Sequence, residues 1–318
     1  MAVRYKYLNT ILKLIFFIGL SIALYRRVFT NEDFHEAISI LKENLIHGRG
    51  YFVMAIILSF FNWSIEAVKW KSLVNRLTEI SFKKSVLGVL FGIAFSLFTP
   101  NRLGEYGGRV LVLKDHKIAA IVSTLIGSYS QIVANMTIGG IAGFIYLWQY
   151  MHLHPYLLLA IFSIYLILVA FLFVSFFNIE IVSVLFKKYS IFKKISEYVD
   201  VVKLYKFNEL RNLLFLSLLR YSVYCLQFFL LLKVFRVGIH FFEGIILIPS
   251  VFFLQSILPT MALFDLSLRG QIAVEIIGTY ATGGLIVVVA ASIVLWFINL
   301  IVPSIIGGVI ALFYKFDR

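Results

Sequence analysis

"FSLFTPNRLGEYGGRV" (Phe95–Val110) ends an apolar segment at a proline and then crowds charge beside the break. The apolar part runs from Ser85 to Thr99, with Lys83 and Lys84 ahead of it and Arg102, Glu105 and Arg109 behind it. Lysine and arginine accumulate on the cytoplasmic side of membrane chains. Both flanks therefore belong to one side, and a span cannot begin and end on the same side. The stretch 85–117 reads instead as a re-entrant hairpin that enters from the cytoplasm and returns. Pro100 has no amide hydrogen and disfavours helix at Thr99. Gly104, with Gly107 and Gly108, allows a tight return and close packing.

Composition places that hairpin in a membrane. Of 318 residues, 61% are hydrophobic and 14% charged, and the mean hydropathy is +0.95. Soluble domains carry about 45–50% apolar and about 25% charged residues, so a soluble fold of this chain would lack a polar coat. The formal charge of +13 follows from basic cytoplasmic loops. No aromatic-interleaved basic motif suggests RNA, and no nucleic-acid partner is expected. Cys225 is the only cysteine, which excludes intramolecular disulfides and thiolate metal sites.

Segments near the roughly 20-residue length of a span lie at 11–29, 51–69, 119–148, 156–177, 212–232 and 283–313, the last kinked at Pro303. The first imitates a signal peptide, but Arg26 and Arg27 end it without a small-residue cleavage site, so an uncleaved helix is expected. Basic stretches 69–84, 102–117 and 178–211 are assigned to the cytoplasm, and 30–49 and 149–155 to the outside. Helix 212–232 then ends outside, while Lys315 and Arg318 favour a cytoplasmic C-terminus. Segment 241–280, broken at Pro259, must enter and leave from the outside. The expected fold is an all-α polytopic membrane protein with about six transmembrane helices and two opposed re-entrant hairpins. It is treated as one module over 1–318, its halves about 1–150 and 151–318, forming a candidate inverted repeat. A bacterial inner (cell) membrane, with both termini cytoplasmic, is the expected setting.

Charges at membrane depth are costly and usually functional. Glu105 and Arg109 stand four residues apart, on one face if helix resumes after Leu103. They form either a surface pair or part of a pocket in which Arg102 and Arg109 hold an anion. Arginine's planar donor fork suits phosphate. Asp265 and Arg269 repeat the spacing in the second broken segment, and Glu275 faces the cavity or the outer interface. Glu66 and Lys69, in "NWSIEAVKW", read first as an interfacial pair beside Trp63 and Trp70, with Lys69 snorkelling. Arg220, inside 212–232, either snorkels or supplies a cavity cation. No catalytic constellation, P-loop or cofactor motif is found, and His152 with His154 lacks the third ligand of a zinc site. A transporter-like protein without enzyme chemistry or cofactor is expected.

The segment "TPNRLGEYGGRVLVL" resembles the P-x-R-x-G-E-x-x-x-R signature of the lysylphosphatidylglycerol synthase transmembrane family, also called the flippase-like domain family. "NWSIEAVKWKSLV" is similar to its Trp-ending second-span motif, and "ILPTMALFDLSLRGQIAV" to its second-half motif, over roughly residues 10–313. The resemblance implies helices with two re-entrant hairpins. It also implies the role assigned to the membrane part of multiple peptide resistance factors, translocating aminoacylated phosphatidylglycerol between leaflets. By matching positions, Pro100, Arg102, Gly104, Glu105 and Arg109 carry over from the first motif, and Pro259 and Arg269 from the second. Asp265 and Ser267 stand where glycines are frequent, and Gly270 where glutamate is, so an aminoacylated cargo is not implied. The chain ends at Arg318, and a stand-alone module without a synthase domain is expected.

These residues favour a lipid flippase-like transporter. A phospholipid headgroup would enter a polar cavity between the hairpins, held at its phosphate by Arg102, Arg109 and Arg269. Glu105 and Asp265 would orient the arginines or meet a cationic headgroup. The alternative is a membrane scaffold binding a lipid or polyprenyl-phosphate glycoside for a separately encoded glycosyltransferase or synthase. Expected partners are anionic phospholipid headgroups and, for the alternative, a lipid-modifying enzyme.

Overall fold

Five helices of the computed structural model are long and apolar enough to cross a membrane: Phe34–Val74, Lys117–Tyr150, Pro155–Phe177, Phe207–Val234 and Ile286–Phe313. The structure describes residues 32–97, 99, 102–151, 153–180, 200–257 and 265–314, with backbone alone at 32–33 and 265–268. Five of the six expected spans are present. The sixth, 11–29, lies outside the described residues, as do Pro100, Pro259, His152, most of loop 178–211, the side chain of Asp265, and Lys315 and Arg318.

In chain order the helices are α1 (Glu32–Val74), α2 (Phe82–Ser96), α3 (Gly104–Arg109), α4 (Lys117–Tyr150), α5 (Pro155–Phe177), α6 (Phe207–Val234), α7 (Phe241–Ile257), α8 (Asp265–Ile277), α9 (Ile286–Trp296) and α10 (Val302–Phe313). A π turn at Phe297–Ile301 joins α9 to α10. Strands are absent among the described residues. The chain is therefore an all-α polytopic membrane protein.

Residues 32–49 of the expected outer segment 30–49 are helical, the first part of α1. Phe34 packs at a tilt against Phe297 with centroids 5.3 Å apart, while Asn62 bonds Asn299 at 3.0 Å. A straight helix would hold residues 34 and 62 about 42 Å apart, so α1 bends between them. Gly48 and Gly50 occupy that interval, and glycine is a common kink site. Gly48 packs so closely on Val234 that a Cβ would stand 2.9 Å from its Cα. Beyond the bend, α1 runs along α6, and α4 completes the group.

Both broken segments fold back on themselves. In the first, α3 returns antiparallel against α2. A Cβ on Gly104 would meet the Phe95 carbonyl oxygen at 2.3 Å, and one on Gly108 the Phe91 oxygen at 2.7 Å. Arg102 reverses the chain with φ +59°, and Thr99 Oγ1 accepts from the Gly104 N–H at 2.6 Å. In the second, Gln255 Nε2 donates to the Arg269 carbonyl at 3.3 Å. At its open end the Gly238 N–H donates to the Tyr280 carbonyl at 2.9 Å. Each hairpin thus begins and finishes at one end of the molecule.

The connections sort by charge. The Tyr205 hydroxyl reaches the Leu73 carbonyl at 2.9 Å and the Ser123 hydroxyl at 2.7 Å, gathering the connections around 75–81, 113–116 and 200–206 at one end, where Lys71, Lys83, Lys84 and Lys117 flank them. Burial pushes the Tyr205 phenol up to about 12, so it stays protonated and able to donate. Tyr150 meets Tyr280 at the opposite end.

Candidate functional site

Glu66 sits on α1 roughly 12 Å from the end at Val74 and is 6% exposed. Lys69, one turn on, is 1% exposed. They do not form the snorkelling interfacial pair expected from Trp63 and Trp70. Trp70 is itself fully buried, donating from Nε1 to Thr124 Oγ1 at 3.0 Å. Lys69 points between α4 and α6, where its Nζ meets Gln131 Oε1 at 3.4 Å, and its ammonium stays inside the protein.

Arg109 brings the first hairpin to Glu66. Its Nη1 lies 2.7 Å from Glu66 Oε1, its Nη2 pairs with Glu105 Oε1, and it is 4% exposed. Helix resumes at Gly104, so the four-residue spacing sets Glu105 and Arg109 on one face. Gly92 supplies the room, since a Cβ there would meet Arg109 Cγ at 2.6 Å. The pair belongs to a buried cluster and not to the helix surface. Arg102 Nη2 approaches Glu105 Oε2 at 3.4 Å, with its side chain 52% exposed, and forms the rim.

Two more spans contribute. Arg220, roughly 20 Å along α6 from Phe207, places Nη1 3.2 Å from Glu66 Oε2 and 3.3 Å from Gln131 Oε1 of α4. Its guanidinium joins the cluster and does not snorkel toward the helix end. Lys69 Nζ lies 3.4 Å from Glu66 Oε2 and donates to Ser217 Oγ at 3.1 Å. Glu66 is thus a hub for three cations on three helices. Glu66, Lys69 and Arg220 were legible as charges inside apolar segments. Asn62, Gln131, Gln227 and Asn299 carried no such signal.

Of the expected site residues, the structure joins Arg102, Glu105 and Arg109 directly. Arg269 lies on α8, which packs on α7 and α9, in the other hairpin. Among the described residues no group of three or more His, Cys, Asp and Glu side chains could hold a metal ion.

Helices long and apolar enough to cross a membrane, packed around a buried ionic cluster with a hairpin folded into it, define an integral membrane protein. The chain belongs to the family described as lysylphosphatidylglycerol synthase TM region, whose model matches residues 10–262. It is therefore a membrane module of a lipid-related family. The match takes in the whole first hairpin and ends before Asp265 and Arg269. No curated protein and no solved structure matches the chain.

Proposed function

We propose that this protein moves a phospholipid, or a related lipid with an anionic phosphate headgroup, between membrane leaflets. One observation carries the reading. In the buried cluster and its rim, four cations (Lys69, Arg102, Arg109 and Arg220) face two carboxylates (Glu66 and Glu105). One positive charge is left over inside the cluster, and Arg102 adds a second at the half-exposed rim. An uncompensated buried cation is strongly unfavourable, and a phosphate would supply the missing charge. Arg109 Nε is buried without a hydrogen-bond partner, a donor free for such a ligand.

Arg102 at the rim and Arg109 within would take the phosphate, oriented by Glu105. Arg269, with Asp265 in the second hairpin, would complete the path from the opposite side. The acyl chains stay in the bilayer. Binding must remain modest and divided among sites for the lipid to leave again. The basic end faces the cytoplasm of a bacterial inner membrane, where positive-inside orientation puts it.

The test is reconstitution with fluorescent phosphatidylglycerol and a membrane-impermeant quencher. Wild type is expected to expose inner-leaflet label faster than empty liposomes. Arg102→Lys, Arg109→Lys and Arg269→Lys should each slow this at equal insertion, because lysine keeps charge but loses the bidentate fork. Wild-type rates in all three variants would remove the cavity assignment. Lipid retained without translocation would favour a scaffold that holds it for a separate enzyme.

A further inference from the structure

Arg220 enters the cluster with its Nε–H donating to Asn62 Oδ1 at 2.8 Å. That amide is the first of three joined head to tail. Asn62 Nδ2 donates to Asn299 Oδ1 at 3.0 Å, and Asn299 Nδ2 to Gln227 Oε1 at 2.9 Å. Gln227 Nε2 then donates to the Ala55 carbonyl at 2.9 Å. Every side-chain oxygen in the relay points toward the guanidinium and every nitrogen away from it.

Both ends of the relay are fixed by chemistry. A guanidinium only donates and a backbone carbonyl only accepts, so turning any one amide round would set like against like. Aligned dipoles also strengthen one another in a low dielectric. Asn62 is 2% exposed and Gln227 is fully buried, so solvent is a poor substitute for a partner lost at either, while Asn299 between them is part-buried. Ordinary interhelical adhesion needs single hydrogen bonds. This relay needs four in one order, and it ends on a cluster cation.

Its middle member lies in the π turn. Val302 N–H bonds the Phe297 carbonyl five residues back, and Pro303 has no N–H to give. Asn299 Nδ2 also reaches the Leu295 carbonyl at 3.0 Å, the acceptor that the Asn299 backbone N–H would use in an α-helix. The side chain is thus held by its own helix as well as by α1 and α6. π turns within α-helices recur at functional sites.

We infer that Asn62, Asn299 and Gln227 are positioning residues that hold the Arg220 guanidinium with its Nη atoms toward Glu66 and the headgroup site. This deepens the transport reading and rests on it only for the rate measurement. Lipid movement should respond to the relay through Arg220 alone.

Two measurements on the full chain test it. The first is the Arg220 Nε–H resonance in 15N-arginine-labelled protein in nanodiscs, assigned by its loss in Arg220→Lys. It is expected to shift, and its proton to exchange faster, in Asn299→Leu and in the near-isosteric Gln227→Met. An unchanged resonance in both variants overturns the inference. The second is flipping rate in a double-mutant cycle. Asn299→Leu should lower the rate about tenfold in wild type but less than about twofold further in Arg220→Lys, where the shared partner is already gone. Equal losses in both backgrounds would make the relay an independent structural element and overturn the inference. A shifted resonance in a protein that flips no lipid would uphold the relay and refute the transport reading.

Discussion

Glu66 meets three cations with one carboxylate, and its loss would leave Lys69, Arg109 and Arg220 facing one another. Removing one partner of a buried ionic group costs about 3–5 kcal/mol. Glu66→Gln is therefore expected to lower thermal stability sharply in detergent, read as the unfolding midpoint against wild type. Arg102 differs, since its half-exposed pair with Glu105 contributes under about 1 kcal/mol. Arg102→Ala should unfold near the wild-type temperature while slowing lipid movement. A large stability loss in Arg102→Ala would place this arginine in the core and not at the rim. The two residues also differ in legibility. Arg102 stands beside a proline break, and the break itself marks it. Glu66 lies in an amphipathic-looking stretch between tryptophans that suits a membrane interface equally well. Only the enclosing helices make it a hub.

The first hairpin is an element whose closure depends on missing side chains. A Cβ on Gly104 would stand 2.3 Å from the Phe95 carbonyl oxygen, whereas one on Gly107 meets nothing within 4 Å. Overpacking a tight contact costs about 1–3 kcal/mol. Alanine in an open helix position gains about 0.8–1.0 kcal/mol over glycine. Gly104→Ala should therefore destabilise the protein and displace Arg109 from Glu66, lowering flipping as well. Gly107→Ala should be neutral or slightly stabilising at unchanged flipping. Equal behaviour of the two variants in a melting assay would contradict the antiparallel packing of α2 and α3. Sequence showed that a return was needed, through the charge on both flanks and the proline. Which glycines touch the opposite helix of the hairpin depends on rotation about each helix axis, and a pattern of glycines leaves that rotation open.

At the scale of the molecule, both hairpins begin and finish at one end each, and the ends differ in charge. Single cysteines in a Cys225-free background are expected to label accordingly. Positions 83 and 115 should react with an impermeant reagent from one face, and positions 154 and 240 from the other. Labelling of 83 and 115 from opposite faces would turn the first hairpin into a span. Hydropathy and the lysine–arginine bias determined the membrane class, five described spans and the two returns. Each follows from local chain composition against an apolar solvent, which sequence states directly. The length of α1 was missed because the charges of 30–49 look like a loop when no partner is visible. Tertiary structure alone decided that Glu66 on α1, Arg109 on α3 and Arg220 on α6 share one charge cluster, and that three amides from three helices line up behind it. Those residues are far apart along the chain. Their meeting depends on where bent helices cross, and that is set by packing the whole molecule at once.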